Sequence, residues 1–244
     1  GFEYSHGDNS MRFFTNGGTE RLRIDSSGRL LLGTTTAGHT DLDDLTISTS
    51  GNTGVTIRSG TSSLGVVGFA DGTSGNTQYR GVIQYRHSND SMEFNTADAQ
   101  RMKIDGNGFV TMPGQCSFRA TKSGGPYNNG THTAVWDQNQ HNTGSNYNTS
   151  NGRFTAPVTG IYIFHAYSIY TGNSSNDTWD FQKNGSNFPG SRVHFTNNGV
   201  GGAWDSVANT CIVSLSANDY ITVRASSQEY HGGDWTAFCG SLLS

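Results

Sequence analysis

Aromatic, amide and carboxylate side chains that could bind a ligand are concentrated in short segments of the C-terminal third of the chain. Aromatic rings stack on the C–H faces of sugars, and amides and carboxylates bind sugar hydroxyls, so this combination is typical of glycan recognition. The candidate ligand-binding residues are Trp204, Asp205, Asn197, Asn198, Tyr230, His231 and Asp234. Trp179 and Trp235 carry the same chemistry but adjoin predicted strands, so packing and ligand contact both remain open for them.

Catalytic chemistry has little support in the sequence, and we predict that the chain is not an enzyme. It contains no Gly-x-Ser-x-Gly nucleophile elbow, zinc-binding motif or phosphate-binding loop. Asp177 and Asp180 are close in sequence, and we interpret them as one turn acid and one strand acid. The paired carboxylates of a glycosidase need not be local in sequence, so a glycan-degrading enzyme stays open as an alternative.

Composition excludes several classes of protein. Only 14% of the 244 residues are charged, and the net charge of −4 provides no basic surface for nucleic acid or anionic lipid. No apolar run approaches the roughly 18 residues of a membrane span, so we expect no membrane insertion. Tyr, Phe and Thr favour strands and the 33 glycines favour tight turns, which together predict an all-β chain.

The three cysteines, Cys116, Cys211 and Cys239, do not form a disulfide framework, because their count is odd and their spacing irregular. Each lies in an apolar, strand-like context, so we expect buried free thiols and folding in a reducing compartment. The chain starts Gly-Phe-Glu-Tyr, without a signal peptide or an initiator Met, and we expect it to be part of a longer protein.

An internal repeat organises residues 1–113. Six residues recur 81 positions later: Tyr4, His6, Ser10, Met11, Phe13 and Thr15 become Tyr85, His87, Ser91, Met92, Phe94 and Thr96. After a one-residue gap, four more recur 80 positions later: Arg21, Ile24, Asp25 and Gly28 become Arg101, Ile104, Asp105 and Gly108. Period-two alternation in each copy predicts strands with one apolar face, including segment 97–103, which could be mistaken for a helix. Segments 45–47 and 55–58 alternate likewise and are also predicted to be strands.

The repeat strands carry too few large apolar side chains for one copy to bury its own core. We therefore expect association, with three chains wrapping so that the one-faced strands meet around an axis. The predicted domains are a partial shaft repeat over 1–38, a shaft repeat over 39–113 and a different domain over 114–244. The repeats resemble the marine-type tail-fibre repeats of phages, through the segments ERLRIDSSGRLLLGTT, LTISTSGNTGVTIRSG and FADGTSGNTQYRGVIQY. This resemblance implies a fibre shaft.

After Pro113 and Gly114 the repeat stops and the strands become more aromatic. The run GRFTAPVTGIYIF at 152–164 is similar to the signature of the complement-q globular head, a jelly-roll family that includes tumour necrosis factor. Residues at the family's spacing are Trp136, Asn142, Tyr147, Phe154, Gly160, Tyr162 and Phe164. Trp136 stands where Phe is usual and Ala166 where an aromatic is usual, and we interpret both as different packing of the same core. Segments 183–185, 215–223 and 238–242 resemble the family's middle turn, penultimate hairpin and closing strand.

The resemblance implies a ten-stranded-type jelly-roll β-sandwich packed as a homotrimer, with Tyr162, Phe164 and Phe238 at core or axis positions. In the family the first and last strands are antiparallel neighbours, so strand directions can be counted back from the chain end. The count places turns 183–187 and 215–219 at the base of the head, where the preceding shaft enters it. It places segments 171–178, 197–205 and 229–235 at the opposite end of the head.

Calcium is a secondary possibility that also comes from the resemblance. Some family members hold Ca²⁺ near the far end of the head, and Asp205 and Asp234 could serve as ligands. The sequence contains no dense carboxylate loop, so we expect no cofactor.

These observations predict an all-β chain in which a repetitive trimeric shaft precedes a jelly-roll head. We expect the distal part of a phage tail fibre that binds a glycan receptor on a host surface. The expected partners are two further copies of the chain, the host receptor and upstream fibre or tail proteins. The expected location is the fibre tip of the virion, after synthesis in the host cytoplasm. A glycan-degrading tailspike and a secreted complement-like lectin remain alternatives.

Overall fold

The computed structural model describes residues 1–127, 132–171, 177–195, 205–226 and 229–244, which form strands, turns and, within these ranges, one 3-10 turn at Gly75–Tyr79. The chain divides into two compact units, Gly1–Val66 and Val67–Ser244. The domain boundaries at 38/39 and 113/114 stay predictions. The described ranges hold no helix long and apolar enough to cross a membrane.

The first unit contains a five-stranded sheet. Its strands are β1 (Phe2–Ser5), β2 (Ser10–Thr15), β3 (Thr19–Ile24), β4 (Leu30–Leu32) and β5 (Leu45–Ile47). They follow one another in chain order, antiparallel except for the parallel pair β4 and β5.

A second five-stranded sheet carries the second copy of the repeat. Its strands are β6 (Leu64–Phe69), β7 (Gly81–Arg86), β8 (Ser91–Thr96), β9 (Ala99–Ile104) and β10 (Val110–Thr111). Their order is β10-β9-β8-β7-β6. β9 confirms that this segment is a strand and not a helix.

The predicted strand at 55–58 is wrong, because this segment is irregular. Its alternating side chains include Val55, which is 71% exposed. Alternation gives a segment two faces, but a strand also needs a neighbouring strand to satisfy its backbone hydrogen bonds.

The one-residue gap in the repeat lies in a turn. β2 is joined to β3 through residues 16–18, whereas β8 is joined to β9 through Ala97 and Asp98 alone. All of these turn residues have positive φ, which a two-residue type I′ hairpin turn requires at both of its positions. Because the difference in length is confined to the turn, the cross-strand register is equivalent on both sides of it.

Each of these sheets leaves an apolar face uncovered in the single chain. Large side chains that are at least 36% exposed include Phe2, Tyr4, Met11, Phe13, Ile24, Leu30, Leu32, Ile83 and Val110. Leu31 is the only buried hydrophobic residue before Cys116, and it has 1% exposure. The other buried side chains of the two sheets are polar: Ser10, Gln84, Ser91 and Glu93.

The rest of the second unit is a sandwich of two sheets. Its strands are β11 (Ser117–Tyr127), β12 (His132–Ala134), β13 (Gln138–Thr143), β14 (Tyr147–Asn148), β15 (Arg153–Thr155), β16 (Gly160–Thr171), β17 (Asp177–Lys183), β18 (Ser186–Asn187), β19 (Val193–Phe195), β20 (Asp205–Leu215), β21 (Tyr220–Ala225) and β22 (Glu229–Leu242). One sheet has the order β13-β11-β22-β16-β20. The other has the order β14-β15-β21-β17-β18, with β12 paired to β21 and β19 paired to β17. The all-β jelly roll is therefore confirmed.

The core of the sandwich contains aromatic residues at the family spacing, together with Phe238 of the segment that resembles the closing strand. Trp136, Phe154, Tyr162, Phe164 and Phe238 all have 0% exposure. Tyr162, Phe164 and Phe238 are thus core residues.

Polar contacts and a glycine explain why this spacing matters. Asn142 Nδ2 donates to the Tyr147 carbonyl at 2.8 Å, and the Tyr147 N–H donates to Asn142 Oδ1 at 3.1 Å. The Tyr147 hydroxyl then donates to the Trp136 carbonyl at 3.0 Å. At Gly240, a Cβ atom would lie 2.4 Å from the Phe164 ring, so only glycine allows the strand to pass so close.

The predicted hairpin over 215–223 is wrong. β20 pairs with β16 in one sheet, whereas β21 pairs with β15 and β17 in the other. The turn between them crosses from sheet to sheet, with Asn218 at a φ of 72°. Periodicity indicates two strands and a turn but does not indicate which strand each one pairs with.

All three cysteines are free thiols, but only two of them are buried. Burial raises the pKa of Cys211 to about 12 and also raises the pKa of Cys116. Cys239 is half-buried, because it lies on the face of β22 that points away from the core.

Candidate functional site

The predicted ligand-binding segments adjoin one end of the sandwich. Tyr170, near the end of β16, pairs with Asp205 at the start of β20 and with Tyr230 near the start of β22. Tyr127, at the end of β11, also pairs with Tyr230. We call this the distal end.

The turns at 184–185 and 216–219 lie together at the opposite end, where the strand count predicts them. Lys183 Nζ lies 2.9 Å from Asp219 Oδ2, and Asn184 Nδ2 donates to Asp219 Oδ1 at 2.8 Å. Hydrogen bonds from Asn184 and Lys183 lower the pKa of Asp219 to about 2. These contacts fix the two turns against each other.

The structure places only part of the candidate ligand-binding set. Asn197, Asn198 and Trp204 lie outside the described residues, and Tyr230 is described through its backbone alone. Their role in ligand binding stays a prediction.

Asp205, His231 and Asp234 have described side chains. Asp205 is exposed at the start of β20, and burial together with this carboxylate raises the pKa of Tyr170 to about 12. His231 is half-buried, with Nδ1 2.8 Å from the Gly232 carbonyl oxygen. Asp234 is exposed. Their function also stays a prediction.

The two tryptophans that the sequence leaves open have different environments. Trp179 is 1% exposed and packs edge-on against Trp136, with ring centroids 5.9 Å apart, so it belongs to the core. Trp235 is 57% exposed. Of these two tryptophans, Trp235 is therefore the one available at the surface of a single chain.

Asp177 and Asp180 both belong to β17, so the interpretation of Asp177 as a turn acid is wrong. The Asp177 backbone pairs with Phe195, which extends the strand to that residue. Both side chains are buried. Asp180 Oδ2 accepts from Arg192 Nε at 3.3 Å and from Arg224 at 3.1 Å, an arrangement typical of a structural ion pair.

An irregularity in β22 lies beside the strands that carry these candidates. Thr121 of β11 pairs with Ala237, and the next residue, Lys122, pairs with Gly233. Residues 234–236 are therefore extra in β22, and we call them the β22 bulge. Such bulges redirect side chains and are common beside binding sites.

The β22 bulge is anchored by Thr236, which has 0% exposure. The Thr236 hydroxyl donates to the Tyr167 carbonyl at 2.9 Å and accepts from Trp136 Nε1 at 2.8 Å. Gly233 precedes the bulge with a φ of 73°, a conformation that glycine adopts readily. Asp234 and Trp235 thus lie at the surface on a fixed backbone.

A polar cavity of about 320 Å³ opens next to the β22 bulge. We call it the lateral pocket. It is lined by Arg119, Thr121, Lys122, Gln138, Gln140, Gly233 and Asp234. The pocket thus combines cationic, amide, hydroxyl and carboxylate groups, which can bind a polar ligand with both acidic and hydroxyl substituents.

The lateral pocket was missed by the sequence analysis, except for Asp234. The alternation of Arg119 with buried Phe118 and Ala120 indicates that the arginine points away from the core. The pairing of β11 with both β13 and β22 is what brings Arg119 near Gln140 and Asp234, and no local signal encodes that pairing.

The same outward face carries apolar residues on its other strands. Ile163 of β16 pairs with Ile212 of β20, which is 61% exposed. A second cavity of about 340 Å³ lies here, lined in part by Ile163, His165 and Cys239. The residues that line this cavity all belong to strands of this one sheet.

Among the described residues, no group of three or more His, Cys, Asp or Glu side chains is arranged to hold a metal ion. Asp205 and Asp234 therefore lack the further acidic or histidine ligands that a described site would need, and calcium binding stays a prediction.

A family model described as C1q domain matches residues 117–243. The crystal structure of murine APRIL at pH 8.5 is 14% identical, with a TM-score of 0.42, over 53% of this chain and 99% of that chain. The globular domain of zebrafish complement 1qA protein is 12% identical, with a TM-score of 0.36, over 53% of this chain and 98% of that chain. The matched region starts and ends within the sandwich.

Proposed function

We propose that this chain, which belongs to the C1q domain family, is the distal part of a homotrimeric phage tail fibre whose C-terminal sandwich binds a host-surface glycan. Domains of this family form trimers and typically act as binding modules, not enzymes. The observation that carries the fibre assignment is the pair of repeat sheets with uncovered apolar faces.

The repeat sheets support a fibrous assembly for a physical reason. A monomeric protein rarely exposes large apolar patches, and Tyr4 and Met11 lie on such a face in one sheet while Ile83 lies on it in the other. The apolar face has the same register in both repeat sheets, so the same kind of apolar surface can cover both. A second and a third copy of the chain supply that occupant without any further protein.

The sandwich offers a separate surface for the same assembly. Ile163 and Ile212 lie side by side on the outward face of the five-stranded sheet, where β20 is the edge strand. Burying Ile212 against another copy would remove its exposed side chain from water, which stabilises association by roughly 1.5–3 kcal/mol per side chain.

Ligand binding is assigned to the distal end. The strand ends at Tyr127, Tyr170, Asp205 and Tyr230 meet there, and they lead into the segments rich in aromatic and amide residues. In a trimer the three distal ends would present three equivalent sites, and multivalent binding to a repetitive surface glycan raises the overall affinity.

The first experiment measures the mass of the intact chain in solution. Light scattering coupled to size exclusion should give three times the chain mass, independent of concentration in the micromolar range. A monomer at all concentrations would overturn the fibre proposal.

The second experiment measures binding to an array of bacterial surface polysaccharides. The trimer should bind at least one class of glycan, and Trp204→Ala together with Tyr230→Ala should reduce binding at least tenfold. Tyr79→Phe, which changes an exposed aromatic of the 3-10 turn outside the sandwich, serves as the folded control. Unchanged binding by the double variant would overturn the assignment to the distal end.

A secreted complement-like binding protein is the second candidate, because the C1q domain match favours it directly. The same array, extended with animal glycans and immunoglobulin, distinguishes the complement-like protein from the phage fibre. Binding only to animal ligands would favour the complement-like protein, and binding only to bacterial polysaccharide would favour the fibre. Release of oligosaccharide from the bound polysaccharide would instead indicate a tailspike enzyme.

A further inference from the structure

We infer that the outward face of the seven-stranded sheet, which contains β15, β17 and β21, binds an acidic glycan, a polysaccharide whose sugars carry carboxylates. Three arginines carry this inference: Arg153 of β15, Arg192 just before β19, and Arg224 of β21. We call them the arginine surface. The inference rests on the proposed role of the sandwich in glycan binding. It adds a second contact surface, away from the distal end, and names the chemical class of the glycan.

The arginine surface stays accessible in the proposed trimer. Contact between copies is assigned to the outward face of the five-stranded sheet, where Ile163, Ile212 and the lateral pocket lie. The core separates the two sheets of the sandwich, so the outward face of the seven-stranded sheet points away from that contact. Alternation along β17 identifies this face, because Trp179 and Phe181 belong to the core and Asp180 between them points outward.

A buried carboxylate holds two of the arginines in place. Asp180 has 1% exposure and is the cross-strand neighbour of Arg224. Its Oδ2 atom accepts from Arg224 at 3.1 Å and from Arg192 Nε at 3.3 Å. The side chain of Arg192 is 39% exposed and that of Arg224 is 28% exposed, so both reach the surface above the carboxylate. One negative charge is thus shared by two positive charges, and the excess positive charge lies on the solvent side.

The third arginine adds a charge that no carboxylate balances among the described residues. β15 lies beside β21, with Phe154 opposite Ile221 in the core, so the preceding residue, Arg153, lies on the same outward face as Arg224. The Arg153 guanidinium carbon lies 3.6 Å from the centre of the Tyr220 ring. This stacking fixes the plane of the guanidinium and leaves its edge free for an oxyanion. The surface therefore has a local excess of positive charge, although the whole chain carries −4.

Guanidinium groups that are fixed in advance suit carboxylates. Each presents parallel N–H groups that match the two oxygens of a carboxylate. Because Asp180 and the Tyr220 ring already order these side chains, a ligand pays a smaller entropic cost when it binds. Arginines on neighbouring strands can contact successive acidic groups of one polymer, which adds to the overall affinity.

The uncharged side chains of the same face match sugar hydroxyls. Gln182 of β17 lies between Thr222 of β21 and Asn187 of β18, its partners across the strands. Amides and hydroxyls both donate and accept, as sugar hydroxyls do. Among the described residues, none of the exposed large hydrophobic side chains belongs to β15, β17, β18 or β21. The centre of a protein contact is usually apolar, so this face favours a hydrated polysaccharide over a protein partner.

The test titrates the full chain with tetragalacturonate, a short chain of uronic acids, by isothermal calorimetry. Its methyl ester has the same sugars without the charges and is the matched comparison. Tetragalacturonate should bind at least tenfold more tightly than the ester. Its binding should weaken at least tenfold when NaCl is raised from about 0.05 M to about 0.5 M, because salt screens exposed charges. Equal binding of acid and ester would overturn the inference.

Arg153→Gln is the main variant, because Arg153 takes no part in the Asp180 ion pair and its loss leaves the buried carboxylate satisfied. It should weaken tetragalacturonate binding several-fold, and together with Arg192→Gln at least tenfold. Arg192→Lys keeps the charge but loses the paired N–H groups, so it should give a smaller loss than Arg192→Gln. Thermal unfolding of each variant checks the fold.

The matched control is Arg101→Gln, which changes an exposed arginine of the second repeat sheet that donates to Thr96 Oγ1. It should leave tetragalacturonate binding unchanged, and equal losses from Arg153→Gln and Arg101→Gln would overturn the inference. Vesicles of anionic phospholipid are titrated in parallel. Binding to vesicles that depends on Arg153, without binding to tetragalacturonate, would assign the surface to a membrane and overturn the glycan.

The outcomes separate this inference from the proposed function. If Arg153→Gln dissociates the assembly, the arginine surface is a contact between subunits, and the inference fails while the trimer stands. If array binding depends on Trp204 but no arginine variant changes tetragalacturonate binding, only the inference fails. If a monomeric chain binds tetragalacturonate through Arg153 and Arg192, the arginine surface stands and the fibre proposal fails.

Discussion

Aromatic side chains such as Phe164 and Trp136 lie between the two sheets of the sandwich and are fully buried, whereas Tyr4 and Met11 lie on an uncovered face of a repeat sheet. In the repeat sheets the buried side chains are mostly polar, with Glu93 at 4% exposure and Ser91 at 0%. A sandwich supplies its own second layer, but a single sheet does not. The two regions therefore need different partners to stabilise them.

The two repeat sheets agree in backbone pairing but differ in charge. Their backbones pair equivalently, with Tyr4 opposite Met11 and Tyr85 opposite Met92. Their polar faces differ, because Glu93 occupies the position equivalent to Arg12 in the first sheet. Register and the apolar face are thus shared, while the charge at this one position is reversed.

The largest effect is expected on the assembly from Tyr4→Lys. Tyr4 lies on the uncovered apolar face, whereas its neighbour Glu3 points to the opposite face of β1. Three lysines placed in a buried trimer contact should weaken association by about 5 kcal/mol or more, from the lost burial alone. Mass measured across a dilution series should show dissociation of Tyr4→Lys.

Glu3→Lys is the matched control for this change, since the two side chains are similarly exposed in the single chain. It should leave the mass unchanged. Equal behaviour of both variants would contradict a buried role for the apolar face.

Trp136→Ala should destabilise the sandwich by about 3–5 kcal/mol, because it leaves a cavity in the core and removes the donor to Thr236. Trp235→Ala removes the same side chain from an exposed position and should change stability by only about 0.5 kcal/mol. Urea unfolding followed by circular dichroism checks both. A large loss from Trp235→Ala would show that its ring is covered in the assembly.

Glu93→Gln should destabilise the second repeat sheet by about 1–3 kcal/mol at neutral pH, because it removes a buried charged acceptor. Hydrogen bonds from Arg86 and Gln84 lower the pKa of Glu93 to about 2. The depressed pKa contributes stability above the unfolded value near 4.5, and this contribution is lost as pH falls from there towards 2.

Hydrogen exchange of residues 81–104 between pH 5 and pH 2.5 measures this loss. The wild type should lose protection on acidification, and Glu93→Gln should be less protected and less dependent on pH. Asp98→Asn, which changes an exposed turn acid in the same sheet, is the control and should behave as the wild type. Identical pH profiles for all three would contradict a role for Glu93.

The smallest effect is expected from Ala97→Gly. Ala97 has a φ of 48° in the two-residue turn, where an L side chain costs roughly 1–2 kcal/mol. Glycine should therefore stabilise the second sheet by about 0.5–1 kcal/mol, after its greater freedom in the unfolded chain is subtracted. Ala99→Gly, in β9, should destabilise by a similar amount. Thermal unfolding of both variants tests whether the shortened turn is strained.

The location of strands was largely readable from the sequence because period-two alternation depends only on neighbouring residues. It predicted β3 and β9 as strands, and the family spacing predicted the core positions of Tyr162 and Phe164. Alternation failed at 55–58, and the resemblance to the family's hairpin failed over 215–223. In both places the error concerned pairing, which depends on residues distant in the chain.

The candidate site was less predictable. Trp179 and Trp235 have the same chemistry and both adjoin strands, yet one is in the core and the other is at the surface. The extra residues of β22 decide this difference, because they turn Trp235 outward while Thr236 points in.

Sequence alone determined that the chain is all-β, that its N-terminal part is repeated, and that its C-terminal part has the spacing of a jelly-roll head. The first two properties follow from local alternation and from self-comparison, and the third follows from the resemblance to a known family. Only the tertiary structure decided that the repeat sheets leave their apolar faces open and that Arg119, Gln140 and Asp234 line one pocket. The physical reason is that burial and proximity depend on which strands pair. β11 pairs with β13, where Thr121 lies opposite Gln138, and with β22, where Ser117 lies opposite Ser241. Hydrogen bonds between backbones carry no side-chain signal that would reveal such distant pairs in the sequence.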